Sequence, residues 1–132
     1  MQKVALVYLL NPVGSINLNG FDKTRRLLTK ENYNAVFEQA TKITSSDFLF
    51  LYRLNKIGHA RLGLALSKKM IRKAHDRNRL KRMLRETFRL QTGLPPVDII
   101  VLAKFGVGNK EHTLLRVNLE KSWNKLISGY VE

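Results

Sequence analysis

The sequence predicts an α+β fold, a two-layer sandwich of helices on a small mixed sheet in the order α-β-β-α-β-α. Two observations point to it. Apolar residues recur at helical spacing in three places, with Tyr33, Val36, Phe37 and Ala40 first, then Leu80, Met83, Leu84, Thr87 and Phe88, and then Leu115, Leu119, Trp123 and Leu126. Between these stripes lie short runs with strand character, Phe48 to Leu54, Arg61 to Ser67 and Val97 to Lys104. A chain of 132 residues with 44% hydrophobic residues has material for one core, and helices covering a small sheet are the economical way to build it.

Residues 1–20 read as an N-terminal extension, because Asn11 to Gly20 is rich in Gly, Asn, Pro and Ser and the domain is expected over residues 21–128, followed by a short tail over 129–132. The apolar run Val4 to Leu10 behind Lys3 is short for a signal sequence and is followed by no small-x-small cleavage pattern. Thr29 is placed to cap a first helix that runs to about Ala40. In the strand Phe48 to Leu54, alternation puts Phe48, Phe50 and Tyr52 on one face and Leu49 and Leu51 on the other. The turn at Asn55 to Ala60 contains Gly58 and joins this strand to Arg61–Ser67, which predicts a hairpin. A second helix starts between Arg72 and Asp76 and ends near Leu90, with Gly93, Pro95 and Pro96 as its stop. The continuous apolar run Ile99 to Ala103 predicts a strand covered on both faces. Phe105 to His112 reads as a loop, and Thr113 to about Ile127 as the last helix.

Charge is concentrated on the second helix. Lys68 to Arg89 carries ten Lys or Arg against only Asp76 and Glu86, about +8 of the formal +14 of the chain. Placed at 100° intervals, Arg77, Asn78, Lys81, Arg82, Arg85 and Arg89 cover much of the face opposite the apolar stripe. Like charges at Arg77, Lys81 and Arg85 repel at i, i+4 spacing, and an external polyanion relieves that repulsion. Arginine forks suit bidentate phosphate contacts. Nucleic acid is therefore the expected partner. A membrane is not, since no segment approaches the roughly 20 apolar residues of a span. The absence of cysteine excludes disulfides, thiolate metal sites and a cysteine nucleophile, and it suits a cytoplasmic setting.

The residues that carry this charge also resemble a family. Leu64 to Leu66, then Ser67, Lys68, Lys69, Arg72, Ala74, Arg77, Asn78, Arg79, Lys81, Arg82, Arg85, Glu86 and Phe88, look like the signature of the bacterial ribonuclease P protein subunit. The likeness extends to Tyr33 and Phe37, to Arg61 with Gly63, to Asp98–Lys104 and to Leu119–Trp123, and so spans about residues 21–127. It implies a ribosomal-protein-like fold with a left-handed β-α-β crossover through the basic helix. It implies a cofactor of a ribozyme, in which a catalytic RNA with bound Mg2+ removes the 5′ leader of precursor tRNA and the protein supplies no catalytic side chain and binds no metal by itself. One protein monomer per RNA is expected. Carried onto this chain, Arg61, Lys68, Lys69, Arg72, Lys73, Arg77, Asn78, Arg79, Lys81, Arg82 and Arg85 would contact RNA. Tyr33, Phe37, Phe50 and Tyr52 would line a groove for the leader, between the first helix and one sheet face.

A protein nuclease would need clustered carboxylates, or histidines in acid and base roles. His59, His75 and His112 show no paired spacing, and Asp76 and Glu86 lie ten residues apart. A ribosomal or other structural RNA-binding protein could use the same helix. A DNA-binding regulator would normally bring a second helix across a short turn, whereas here strands and Pro95–Pro96 flank the basic helix.

Overall fold

The computed structural model describes residues 23–130, so the expected extension over residues 1–20 lies outside the described residues. Helix α1 is Lys30–Glu38 and is followed by β1 (Thr41–Thr44), β2 (Phe48–Leu54) and β3 (Arg61–Ala65). Helix α2 (Ala74–Arg89), β4 (Val97–Ala103) and α3 (His112–Tyr130) complete the fold, with single 3-10 turns at Lys23–Arg25 and Val107–Asn109. Thr29 caps α1 as expected: its hydroxyl accepts from Asn32 N at 3.1 Å while Asn32 Oδ1 accepts from Thr29 N at 3.4 Å. The last helix continues to Tyr130, past the expected end at Ile127 and into the expected tail.

Strand order in the sheet is β1-β2-β4-β3. This corrects the predicted hairpin, because β4 lies between β2 and β3, antiparallel to the first and parallel to the second. Residues 55–60 need only span two strand spacings, about 10 Å, to pass over the end of β4. Asn55 braces that passage through Nδ2 bonds to His59 O at 3.0 Å and Asp98 Oδ1 at 2.8 Å, and Gly58 supplies the positive φ of 97° that the turn requires. Strand β1 had no counterpart among the expected elements.

The crossover β3-α2-β4 is left-handed. Leu62 turns its side chain into the core beneath α2 and its carbonyl toward Leu27 N (3.0 Å), on the edge away from β4. In an L-polypeptide strand drawn running upward with a side chain toward the viewer, that residue's carbonyl points right. Strand β4 therefore lies to the left of β3 while α2 crosses in front. About 98% of such connections have the opposite hand.

Helices α2 and α3 bury one sheet face, where Phe50 packs edge-on against Trp123 (centroids 5.2 Å apart) and Trp123 Nε1 donates to Thr87 Oγ1 at 2.9 Å. Leu80, Met83, Leu84, Thr87 and Phe88 of α2 all lie in this layer, as their spacing predicts. The short helix α1 covers only part of the other face, through Leu27, Val36, Leu51 and Ile100, and leaves Leu49, Ala65 and Leu102 half-buried.

Candidate nucleic-acid interface

The outer face of α2 borders an open groove of about 460 Å³ lined by Arg26, Asn78, Lys81, Arg82, Arg85, Glu86 and Arg89. Asn78, Arg82 and Arg85 are exposed and Lys81 is half-buried. Glu86 is the one acid on this wall; its hydrogen bond to Arg89 holds its carboxyl below the usual range, so it stays ionised and paired with Arg89, while Arg26, Lys81, Arg82 and Arg85 leave the groove net cationic. Arg26 reaches the groove because its segment adds a parallel bridge to β3 at Leu62. It was not among the expected contacts. The adjacent pair Arg25–Arg26 was the available signal, and Arg25 itself lies over the Phe88 ring, 4.9 Å from its centroid.

Other expected cations divide into two groups. Lys68, Lys69, Arg72 and Lys73 are exposed along the loop into α2, which Ile71 anchors in the core. Arg77 and Arg79 are turned partly inward. Arg77 Nη1 donates to the carbonyls of Ile71 (2.8 Å) and Arg72 (3.0 Å), tying this loop to the helix start, which lacks a side-chain cap. Arg79 Nη2 donates to Gly108 O at 3.2 Å and fastens the loop after β4.

Arg61 does not belong to the interface. It is 7% exposed, and its Nε and Nη2 donate to Asp98 Oδ1 and Oδ2 at 2.8 and 2.7 Å. The parallel register sets Arg61 directly opposite Asp98, so the guanidinium neutralises a buried carboxylate instead of meeting solvent.

The leader residues also separate. Tyr33 and Phe37 lie on α1. Tyr33 OH accepts from Leu64 N at 3.2 Å, and its ring crosses Gly63 so closely that a Cβ there would stand 2.8 Å from it. Phe37 is 48% exposed. Phe50 is corrected: it has no exposed surface and faces α3, so it cannot receive a base. Tyr52 shares that face, half-buried, and is not brought together with Phe37. The face toward α1 carries Leu49, Leu51 and Arg53 instead, with Arg53 Nη1 donating to Ala35 O at 2.7 Å.

His59 Nε2 lies 2.7 Å from Thr24 O, and His75 is exposed. Among the described residues, no three His, Asp or Glu side chains gather to hold a metal ion. No helix among them is long and apolar enough to cross a membrane.

A cationic helix mounted on a four-stranded sheet by an unusual-handed crossover narrows the choice of families, and comparison with known proteins decides it. A model of the Ribonuclease P family matches residues 21–127. This chain belongs to the ribonuclease P protein family. The Ribonuclease P protein component of Legionella pneumophila (strain Paris) is 59% identical over 110 residues, covering 83% of this chain and 96% of that protein. That of Escherichia coli O157:H7 is 44% identical over 106 residues, covering 80% and 89%. Among solved structures, the RNase P protein from Thermotoga maritima superposes with a TM-score of 0.67 at 27% identity, over 76% of this chain and 96% of that one. The Staphylococcus aureus protein has the same fold, with a TM-score of 0.68 at 24% identity over 83% and 97%. Membership makes the chain a protein component of a ribonucleoprotein endoribonuclease of tRNA processing, with an RNA as its partner in that complex.

Proposed function

We propose that the outer face of α2 binds the catalytic RNA of ribonuclease P, while the sheet face beside α1 holds the 5′ leader of precursor tRNA. The holoenzyme then matures tRNA 5′ ends with Mg2+ carried by the RNA. The observation that supports this reading best is the groove of Asn78, Lys81, Arg82 and Arg85, extended by Arg26 and Arg89, with a single acid on its wall. Phosphate contacts of this kind give strong, salt-dependent attachment without sequence preference. The second surface has different chemistry. Half-buried Leu49, Ala65 and Leu102 form an apolar floor packed against the cluster under α1, α1 itself carries the exposed Phe37, and Lys42 on β1 and Lys68 and Lys69 after β3 are exposed. Unpaired bases can pack on such a floor while lysines meet the backbone phosphates, a sequence-tolerant mode suited to leaders that share no sequence. The protein's part is attachment and positioning, by one monomer per RNA.

The test is reconstitution with the catalytic RNA, followed by precursor tRNA cleavage and binding. The holoenzyme is expected to cleave at moderate Mg2+ and the RNA-free protein not to cleave. Phe37→Ala is expected to weaken leader-bearing precursor about tenfold, within the usual range for one base-aromatic contact, and mature tRNA hardly at all. Cleavage by the RNA-free protein, or equal losses on both substrates, would refute the reading.

A further inference from the structure

Phe105 is 79% exposed, the most exposed large apolar side chain among the described residues. The loop that carries it is pinned on both sides. Before it, Lys104 N donates to Asp47 O at 3.0 Å and Lys104 Nζ bonds Ser45 O. After it, Val107 is buried in the core, Arg79 holds Gly108 O, and Lys110 pairs with Asp47. Gly106, at φ +87°, makes the turn between these anchors. A ring held in water by a fixed loop needs no rearrangement of that loop before its face can meet a partner.

The topology identifies that partner's chemistry. Strands β3 and β4 are parallel with Ala65 opposite Leu102, so both leave the sheet at the same end. Lys68 and Lys69 follow one strand and Phe105 the other. The half-buried row Leu49, Leu102 and Ala65 lies across β2, β4 and β3 near this end, next to the part of the face that α1 covers. Lys104 lies two residues, about 7 Å, beyond Leu102 along the strand. An exposed aromatic ring at the end of the sheet where Lys68 and Lys69 also emerge offers a stacking platform for an unpaired base, with cations on the adjoining loop for its phosphates.

We propose that Phe105 stacks a nucleotide of the precursor's 5′ leader that lies beyond the stretch seated beside α1. The inference rests on the leader reading above, and it predicts a step in affinity with leader length. Holoenzyme assembled with wild type, Phe105→Ala or Phe105→Trp is titrated with precursors whose leaders grow one nucleotide at a time. Wild type and Phe105→Trp should gain affinity when the leader becomes long enough to reach the ring. Phe105→Ala should lose that gain, about 5- to 100-fold, while binding mature tRNA and short-leader precursors normally. Its affinity for the catalytic RNA and its melting temperature should be unchanged. A uniform loss at every length, no loss at any length, weaker assembly with the catalytic RNA, or marked destabilisation would each overturn the proposal. Phe37→Ala measured in parallel separates the two readings: if it responds to the leader and Phe105→Ala does not, only the Phe105 contact falls, and if neither responds the cleft itself is wrong.

Discussion

Arg61 on β3 and Arg82 on α2 carry the same guanidinium in opposite settings, one locked against Asp98 inside the sheet, the other exposed on the wall of an open groove. Arg61 makes a bidentate contact with the carboxylate directly opposite it, and that carboxylate has a further donor in Asn55. Around Lys81, Arg82 and Arg85, no carboxylate lies within ion-pair distance among the described residues. Where the fold has its own anion the cation is structural. Where neighbouring cations accumulate against one acid, the helix carries repulsion that only an external anion removes.

The largest effect should come from breaking the buried pair. Arg61→Ala leaves Asp98 buried without its main partner and should cost about 3–5 kcal/mol of stability, read as a fall in the denaturation midpoint. Its refolded fraction should bind RNA with an unchanged salt dependence. A variant of near-normal stability but weak RNA binding would return Arg61 to the interface. The next effect lies on the other side of the comparison. Arg82→Ala with Arg85→Ala should leave the melting temperature nearly unchanged and reduce the slope of log affinity against log salt by about 2, one per lost phosphate contact. A large loss of stability would show that these arginines serve the fold.

This contrast also marks how far the chain could be read in advance. Helix α2 was legible because its two faces are written locally, with Leu80, Met83, Leu84 and Phe88 inside and Lys81, Arg82 and Arg85 outside. Strand β4 was legible because an apolar run without alternation requires cover on both faces. The place of β4 between β2 and β3 was not, since pairing across more than forty residues leaves no local trace and a six-residue connection suits a hairpin equally well. Strand β1 escaped for a related reason: in Thr41–Thr44 only Ile43 is buried, so no alternation is long enough to detect. Arg61 was misassigned because its partner is 37 residues away, and Phe50 because alternation divides a strand into two faces without saying which helix covers each. Arg26 joins the groove through a parallel bridge that nothing in its neighbourhood announces.

Asp47 and Lys110 lie between the two extremes and give the smallest of these effects. The carboxylate is buried, while the ammonium that pairs with it is partly exposed. Burial alone would raise the Asp47 pKa, but hydrogen bonds from Lys110 and Asn118, with the charge of Lys110, outweigh it and hold the carboxyl below its usual range. A carboxyl depressed in the folded state contributes stability above its unfolded pKa of about 3.9, and that contribution is lost as pH falls through the folded value. Thermal unfolding followed from pH 7 downward should therefore show wild type losing an advantage over Asp47→Asn below about pH 4. At pH 7 the variant should be less stable by about 1–3 kcal/mol, the scale of a hydrogen bond to a charged group. Because the Asp47 side chain holds Lys110 on the far side of Phe105, the same variant should loosen that side of the loop, with the backbone bond from Lys104 N to Asp47 O kept and α2 untouched. Long-leader precursors should then bind more weakly while the salt slope for the catalytic RNA stays put; parallel curves for wild type and variant across the acid range would instead place the pair with the solvated surface charges.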